Sequence, residues 1–209
     1  MKGLIKNWLN RIIRSKNEFL LHRFLAKQPK IKIMVGSGDR YGVNKNNKWL
    51  LTDIKTLDLT KENDWQRLLK KFKVDNILAE HVWEHLTEID TKLANQNCYK
   101  YLKENGVLRL AVPDGFHPHN DYINYVKPGG HGDGADDHKI LYTYISLKEG
   151  LEKVGFKVQL LEYWDENGNF NFKDWTDDGG HIRRSSRYDS RNKEGELNYT
   201  SLIVDAIKY

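Results

Sequence analysis

The order of the apolar segments is what most limits the fold of this chain. Short apolar runs rich in β-branched residues, such as 31–35 and 74–80, alternate with segments that carry apolar residues at helical spacing, such as 59–72. This alternation predicts a parallel sheet with helices on both faces. The last two runs, 156–164 and 199–208, are joined by a polar loop without a helical pattern, which predicts an antiparallel pair at one edge. The remaining predicted elements are strands at 48–54 and 106–114 and helices at 86–104 and 146–155, the latter with Ser146 as its N-cap.

The positive charge of the chain is concentrated near its N-terminus. The 209 residues have a formal net charge of +5, yet the first 30 contain eight Lys and Arg against Glu18 alone, which leaves −2 for the rest. A body of that charge disfavours nucleic-acid binding, which usually needs a basic domain surface.

A single cysteine, Cys98, allows no internal disulfide and no cysteine-rich metal site. No apolar run approaches the roughly 20 residues of a membrane span. With no signal peptide expected, we expect a cytoplasmic protein.

Residues 2–27 predict an amphipathic helix that stands apart from the alternating pattern. Its apolar residues recur at helical spacing on one side, and the other side is basic. Two interpretations stay open: a helix on an anionic membrane surface, and a helix packed on the domain with a solvated basic face. Pro29 ends the pattern. We therefore divide the chain into an N-terminal basic helix at 1–29 and one domain at 30–209.

Ligands of open α/β sheets bind outside the carboxyl ends of the strands, so the residues at those ends are the candidates for a binding site. The first strand ends in "VGSGDR", where Gly36 and Gly38 allow a tight turn and a close approach to a ligand. Asp53 ends the second strand, 17 residues after Gly36, where an acid can accept hydrogen bonds from ribose hydroxyls. Tyr41 replaces the third glycine of a dinucleotide fingerprint, and no phosphate-loop Lys follows. The pattern indicates a nucleoside ligand with little or no phosphate.

Five segments, in the expected order, resemble the motifs of class I SAM-dependent methyltransferases, of the methyltransferase type 11-like kind. They are "KIMVGSGDR", "TDI", "LDLT", "ILAEHVWEHL" and "YLKENGVLRLAVPD". The resemblance covers about residues 30–209 and implies a Rossmann-like, doubly wound, mostly parallel seven-stranded sheet with an antiparallel last strand. It departs from the family pattern at Met34-Val35, which stand where an acidic residue is usual, and in the very short segment left for the first helix. The resemblance implies S-adenosylmethionine as cofactor, bound by Gly36, Ser37, Gly38, Asp53, Asp58, Glu80 and His81.

The string "AEHVWEHL" permits two interpretations. His81-x-x-Glu84-His85 is the inverted zinc-hydrolase signature if it lies within a helix. We favour the end of a strand at the cofactor cleft, because His81 directly follows a buried-strand pattern. The string also resembles the metal motif of methyltransferases that act on hydroxyls, including the small-RNA 3′-terminal enzymes, which use a later His followed by Lys. That resemblance implies a divalent metal on His81, Glu84, His85 and His138. The alternative is that Glu84 and His85 cap the next helix and line the pocket without metal.

Two long polar loops supply the other candidates. The loop after the strand at 106–114 carries several histidines, whose pKa suits proton transfer near neutral pH. We predict catalytic roles for Asp114, His85 and His138 and substrate contacts for His117 and His119. The second loop, at 165–198, carries four arginines, and a guanidinium binds carboxylate or phosphate in two-pronged fashion. Arg184 and Arg187 are therefore predicted to bind an anionic acceptor. Four of the loop's aspartates, Asp174, Asp177, Asp178 and Asp189, offer plain salt bridges instead.

The motifs together predict a SAM-dependent methyltransferase that methylates oxygen on a small polar or glycan-type acceptor, such as a sugar, nucleotide-sugar or polysaccharide precursor. The acceptor class comes from the resemblance. Two alternatives stay open. The metal-type motif fits an RNA terminal 2′-O-methyltransferase, which the charge of the body disfavours. A non-catalytic SAM-binding subunit is the other. Peripheral membrane contact through residues 1–27 is a further expectation.

Overall fold

The computed structural model describes residues 19–38, 42–44 and 49–209. The predicted N-terminal helix lies for the most part outside these residues, and only its last part, helix α1 at 19–25, is described. Within the described residues, no helix combines the length and the apolar character that crossing a bilayer requires.

The described strands form a single eight-stranded sheet. They are β1 (Lys32–Val35), β2 (Gly42–Val43), β3 (Leu50–Leu51), β4 (Val74–Glu80), β5 (Leu102–Pro113), β6 (Phe156–Trp164), β7 (Phe170–Phe172) and β8 (Ser201–Lys208). Their order across the sheet is β2-β3-β1-β4-β5-β8-β6-β7. β3, β1, β4 and β5 run parallel, and β8 lies antiparallel between β5 and β6. The prediction of a Rossmann-like, mostly parallel sheet with an antiparallel last strand is confirmed. The sheet has eight strands and not the seven expected. The sequence pattern showed six of them, and the other two, β2 and β7, are short hairpin partners that it did not show.

The helices after α1 are α2 (Glu62–Leu69), α3 (Glu88–Tyr101), α4 (Asn120–Val126) and α5 (Tyr144–Glu152). α5 begins two residues earlier than predicted, because Thr143 is its N-cap and accepts a hydrogen bond from the Ser146 backbone amide. Ser146 is instead the third residue of that capping box. α3 begins after the Thr87 cap, three residues beyond His85.

The two faces of the sheet are covered differently. On one face, alternate strand residues such as Ile33, Ile77 and Leu108 pack with α1, α2, α3 and α5 into the main core. On the other face, Leu78 and Ile203 pack with Trp175 and Ile182, which belong to the second long loop. Within the described residues, this second face is therefore covered by a loop where a helix was expected.

Arg109 explains how a loop can cover a sheet. Its buried guanidinium forms a two-pronged ion pair with Asp205 and also donates to the carbonyls of Thr176 (2.7 Å) and Gly180 (2.9 Å). Gly179 must lack a side chain, since a Cβ there would lie 2.6 Å from the Arg109 Cζ. These contacts satisfy loop carbonyls that would otherwise be buried without a donor.

Candidate functional site

Two clefts meet at the carboxyl ends of the parallel strands. β1 pairs with both β3 and β4, so the residues that follow these three strands lie at one edge of the sheet. The smaller cleft has a volume of about 380 Å³ and the larger one about 620 Å³, both within the usual size of small-molecule sites. Gly36, His81 and His85 line both clefts, so a ligand in one would border a ligand in the other.

The smaller cleft contains most of the residues predicted to bind the cofactor. It is lined by Val35, Gly36, Gly38, Asp53, Ile54, Leu57, Asp58, Leu59, His81, Val82, His85, Leu86 and Asp137. Ile54, which is 72% exposed, offers an uncovered apolar side chain beside the two acids. A site of apolar side chains with a few acids suits a nucleoside, whose base is apolar on its faces and whose ribose donates hydrogen bonds.

Gly36 determines the shape of the turn between β1 and this cleft. Its φ is +64°, and a Cβ at this position would lie 2.3 Å from Cγ2 of Val82. Gly38 has a similar φ of +70°, but among the described residues no atom lies within 4 Å of where its Cβ would be. Both glycines meet a backbone requirement, but only Gly36 is also required by a neighbouring side chain.

The predicted cofactor residues differ in whether protein groups already occupy their hydrogen-bonding atoms. Within the described residues, the half-buried carboxylate of Asp53 has no hydrogen-bond partner. Asp58 accepts hydrogen bonds from Thr60 and pairs with Lys61 at 2.7 Å. Burial raises the pKa of Asp58, but the bonds from Lys61 and Thr60 outweigh burial and lower it overall. Ser37 lies outside both linings, and its hydroxyl donates to the Thr52 carbonyl. Asp53 is thus the acid that is free to accept from a ligand.

Glu80 and His81, also predicted to bind cofactor, are engaged by the protein itself. Glu80 lines the larger cleft, where its Oε1 accepts from the Arg184 backbone amide at 2.8 Å. His81 has a φ of +56°. Its Nε2 lies 2.9 Å from the Ser201 hydroxyl and its Nδ1 lies 3.1 Å from Glu84 Oε1.

This backbone also decides between the two interpretations of "AEHVWEHL". His81 follows the end of β4, and only Trp83–His85 form a single 3₁₀ turn before α3 begins at Glu88. The two histidines therefore do not lie on one face of an α-helix, which the zinc-hydrolase signature requires. The string is the end of a strand at the mouth of the clefts.

Glu84, His85 and His138 form a compact group of potential metal ligands. One ligand atom from each lies within 4.8 Å of the others, and the rings of His85 and His138 are 4.8 Å apart between centroids. His81, the fourth predicted ligand, lies outside this group, because its ring nitrogens face Ser201 and Glu84. The structure thus brings together three of the four predicted residues.

Glu84 is the strongest indication that this group fits a cation. Its side chain is fully buried, and neither carboxylate oxygen has a hydrogen-bond partner. His81 Nδ1 is within ion-pair distance of Oε1 but lacks hydrogen-bond geometry, so the oxygens keep unused lone pairs. Burial raises the pKa of Glu84, but the neighbouring His81 and His85 outweigh burial and lower it. A buried carboxylate without donors is costly unless it is paired or holds a metal.

His85 and His138 are each oriented by a group that contacts the ring nitrogen Nδ1. His138 Nδ1 lies 2.6 Å from the Val126 carbonyl, and His85 Nδ1 lies 3.3 Å from Asp137 Oδ2. Each contact leaves Nε2 as the nitrogen for a ligand, which is the arrangement usual behind metal-binding histidines. Asp137 was not among the predicted site residues. The only sequence signal was its place next to His138 in "DDHK".

Besides Ser37 and the buried Glu84, four predicted residues lie outside both clefts. Asp114, predicted as an acid-base residue, is fully buried, and its oxygens accept from the backbone amides of Phe116 and Trp164. Burial raises its pKa to about 6. His117 is buried against Tyr122, with ring centroids 3.9 Å apart, and burial lowers its pKa to about 4. His119 lines neither cleft.

Arg187, the fourth, reaches away from the clefts, donates to the Trp175 carbonyl and pairs with Asp174.

The side of the larger cleft formed by the second long loop carries other arginines. Arg183, Arg184 and Arg191 line it together with Tyr125, Tyr188 and Tyr199. The Arg191 guanidinium lies 3.3 Å from the Tyr199 ring centroid and pairs with Asp189. Arg184 Nη1 is 3.8 Å from Glu80, while Arg183 has no ion-pair partner in the part of the chain that the structure describes. The larger cleft is thus lined by cationic, phenolic and carboxylate groups, which suits a polar ligand.

Comparison with known proteins gives matches among solved structures alone. No family model matches the chain, and no curated protein does. A SAM-dependent methyltransferase from Archaeoglobus fulgidus is 16% identical, with a TM-score of 0.47 over 93% of this chain and 94% of that chain. A methyltransferase from Thermotoga maritima, described as a possible histamine N-methyltransferase, is 13% identical, with a TM-score of 0.46 over the whole of both chains. A protein named as an O-methyltransferase from Nostoc punctiforme is 12% identical, with a TM-score of 0.44 over 96% of this chain and 58% of that chain.

These three matches have identities of 12–16% and TM-scores below 0.5. At such low identities, no functional residue is carried over from them to this chain. The sheet order is Rossmann-like, with an antiparallel strand between β5 and β6.

Proposed function

We propose that this chain is a SAM-dependent methyltransferase that methylates a hydroxyl of a small polar or glycan-type acceptor. The observation that carries the proposal is the junction of the two clefts. A nucleoside-sized cleft with a free acid, Asp53, borders a larger polar cleft, and Gly36, His81 and His85 line both. Methyl transfer needs this arrangement, because donor and acceptor must be aligned for an in-line displacement.

The residues of the chain have separate tasks in this proposal. Asp53 accepts hydrogen bonds from the ribose, and the absence of a side chain at Gly36 lets the ligand approach the backbone. When bound, S-adenosylmethionine supplies an electrophilic methyl group: the acceptor oxygen bonds to the methyl carbon as the carbon–sulfur bond breaks. In the absence of a metal, the acceptor hydroxyl passes its proton to His85 or His138, which both line the larger cleft.

Alternatively, Glu84, His85 and His138 would hold a divalent metal ion, and the two histidines would then be ligands and not the base. The two buried oxygens of Glu84 that lack hydrogen bonds, and the two histidines held from behind, make a mixed carboxylate and imidazole site that suits zinc, iron or manganese. A bound metal would lower the pKa of an acceptor hydroxyl. The charges of Arg183 and Arg184 support an acceptor that carries a carboxylate or phosphate.

Calorimetry with S-adenosylmethionine and S-adenosylhomocysteine tests the cofactor site. Asp53→Ala should weaken binding by about 1.5–3 kcal/mol, because a charged hydrogen-bond acceptor is lost. Asp121→Ala, an exposed acid that lines neither cleft, should bind as the wild type does. Equal affinity of Asp53→Ala and wild type would reject this cofactor site.

Transfer from methyl-labelled cofactor to sugars, nucleotide-sugars, acidic glycans and RNA 3′ ends tests the acceptor class. Label on RNA ribose would favour the RNA 2′-O-methyltransferase, whose support here is the metal-type group alone. Cofactor binding without transfer to any acceptor would favour the non-catalytic subunit.

Metal content of the purified chain tests the metal group. His85→Ala should lose bound metal and transfer together while cofactor affinity stays within about twofold. His119→Ala, a histidine outside both clefts, is the matched control and should retain metal. If chelation removes metal yet leaves transfer unchanged, the histidines align the acceptor without a metal.

A further inference from the structure

Helix α1 carries apolar residues on two sides. Leu25 is buried in the main core, and Leu21 and Phe24 pack against that core. Phe19 and Leu20 point elsewhere and are 64% and 51% exposed. The packing of α1 on the domain therefore accounts for one apolar side and leaves the other uncovered.

The uncovered side continues into a groove formed with the end of α2. The groove has a volume of about 390 Å³ and is lined by Phe19, His22, Arg23, Lys70, Lys71 and Phe72. His22 connects α1 to α2, because its Nε2 lies 3.0 Å from the Leu68 carbonyl. The result is an apolar floor between Phe19 and Phe72 with a cationic edge.

The cations at this edge are available for a partner. In the ranges that the structure describes, Arg23, Lys70 and Lys71 have no ion-pair partner, and all three are exposed. Lys27 and Lys30 follow on the same segment and are exposed as well. Exposed apolar side chains ringed by free lysine and arginine are what binding at the interface of an anionic bilayer requires.

Charge argues against two other occupants of the groove. A second copy of the chain would bring the same cationic edge against this one, and like charges repel. The 18 residues that precede Phe19 contain five basic residues and one acid, so that segment also has the sign of the groove.

We propose that the surface formed by Phe19, Leu20, Arg23, Lys70, Lys71 and Phe72 docks on a bilayer that contains anionic lipid headgroups. The apolar side chains enter the interface, and the cations pair with the headgroups. The surface includes residues of the folded domain, Lys70 to Phe72, and so extends beyond the N-terminal helix.

Vesicle flotation of the full-length chain tests this proposal. The chain should bind vesicles of phosphatidylcholine with phosphatidylserine, bind phosphatidylcholine alone far more weakly, and be released by salt. Lys70→Glu/Lys71→Glu and, separately, Phe19→Ser/Leu20→Ser should each weaken binding by at least about tenfold. Lys148→Glu/Lys153→Glu and Ile145→Ser make the same kinds of change on α5 and directly after it, outside the groove lining, and should bind as the wild type does.

Three results would overturn the proposal. One is equal vesicle binding by both groove variants and the wild type. Another is a lower free energy of unfolding for Phe19→Ser/Leu20→Ser with unchanged vesicle binding, which would mean that the chain itself covers the groove. The third is a dimer in sedimentation that the same substitutions dissociate. Calorimetry with S-adenosylmethionine should give wild-type affinity for all these variants, so the outcome is separate from that of the proposed function.

Discussion

Single residues determine what the clefts can bind, and the clearest case is Gly36, which has no side chain. Gly36 and Gly38 have nearly the same φ, but within the described residues only Gly36 has a side chain, that of Val82, in the space of a Cβ. Asp53 and Asp58 form a similar pair, since both line one cleft but only Asp58 already has protein partners. In both pairs, the local surroundings separate residues that the sequence treats alike.

The glycine pair gives a prediction with an internal control. Gly36→Ala and Gly38→Ala share the strain of a left-handed residue, about 1–3 kcal/mol of stability. Gly36→Ala should cost more, because Val82 must also move, and should weaken cofactor binding more. Adding Val82→Ala to Gly36→Ala should recover the difference but not the shared strain. Equal unfolding free energies for the two single variants in urea would show that the Val82 contact is unimportant.

Asp137 gives a second prediction at the residue scale. If it orients His85, Asp137→Asn should weaken metal affinity by about 10- to 100-fold, as is usual when the partner behind a metal-binding histidine is changed. Asp136→Asn alters the neighbouring exposed acid and should leave metal affinity unchanged. Metal titration of the apoprotein measures both, and an equal effect of the two substitutions would contradict the orienting role.

At the scale of elements, a few buried polar groups join the second long loop to the sheet. Arg109 on β5 holds the Thr176 and Gly180 carbonyls. Glu162 on β6 accepts from the Trp175 ring nitrogen and the Ser186 backbone amide, each at 2.8 Å. Burial raises the pKa of Glu162. Because this loop carries Arg183 and Arg184 into the larger cleft, the anchors also position the cleft arginines.

Arg109→Met should therefore lower the free energy of unfolding by about 3–5 kcal/mol, since it removes the buried member of an ion pair and leaves the half-buried Asp205 and two loop carbonyls without their donor. It should also speed proteolysis within the second long loop. Lys32→Met removes a donor to the same loop, at Asp178, but from an exposed position, and should cost under about 1 kcal/mol. Urea unfolding with limited proteolysis measures both effects. A cost for Arg109→Met no larger than that for Lys32→Met would show that the hydrophobic contacts of Trp175 and Ile182 suffice.

For the whole molecule, Asp114 and His117 make opposite contributions to the pH dependence of stability. Burial raises the pKa of Asp114 from 3.8 to about 6, so the folded state binds its proton more tightly, and this contribution falls as pH rises from about 4 to 6. Burial lowers the pKa of His117 from 6.5 to about 4, so its contribution falls as pH decreases through that range. The shift of Asp114 corresponds to about 3 kcal/mol.

Substituting one of these two residues should reveal the contribution of the other to the pH dependence of the free energy of unfolding. In Asp114→Asn, the free energy of unfolding should fall more steeply than in wild type as pH decreases from 6.5 to 4. In His117→Gln, it should fall less steeply, or rise. Thermal or urea unfolding at several pH values measures the slopes, and identical slopes in the three proteins would contradict both assignments.

The resemblance to a metal motif supplied His81, Glu84, His85 and His138 as candidates. The sequence by itself determined the alternation of strands and helices and the glycine turn followed by Asp53. Each of these depends on local spacing, because the 2.0- and 3.6-residue periods and the strand ends are properties of short segments. The same reasoning placed Asp114 and Arg187 in the site, since each follows a strand or lies in a loop of the expected kind.

Only the tertiary structure decided which candidates reach the clefts. Glu84 and His138 are 54 positions apart in the chain, and their meeting depends on the path of the loop between β5 and α5. That path is set by long-range contacts, such as the Val126 carbonyl behind His138, and they leave no periodic trace in the sequence. The same cause buries Asp114, turns Arg187 toward Trp175 and engages both nitrogens of His81. Contacts between side chains far apart in the sequence, and not the pattern of any one segment, determine which candidates lie at the site and which support the fold around it.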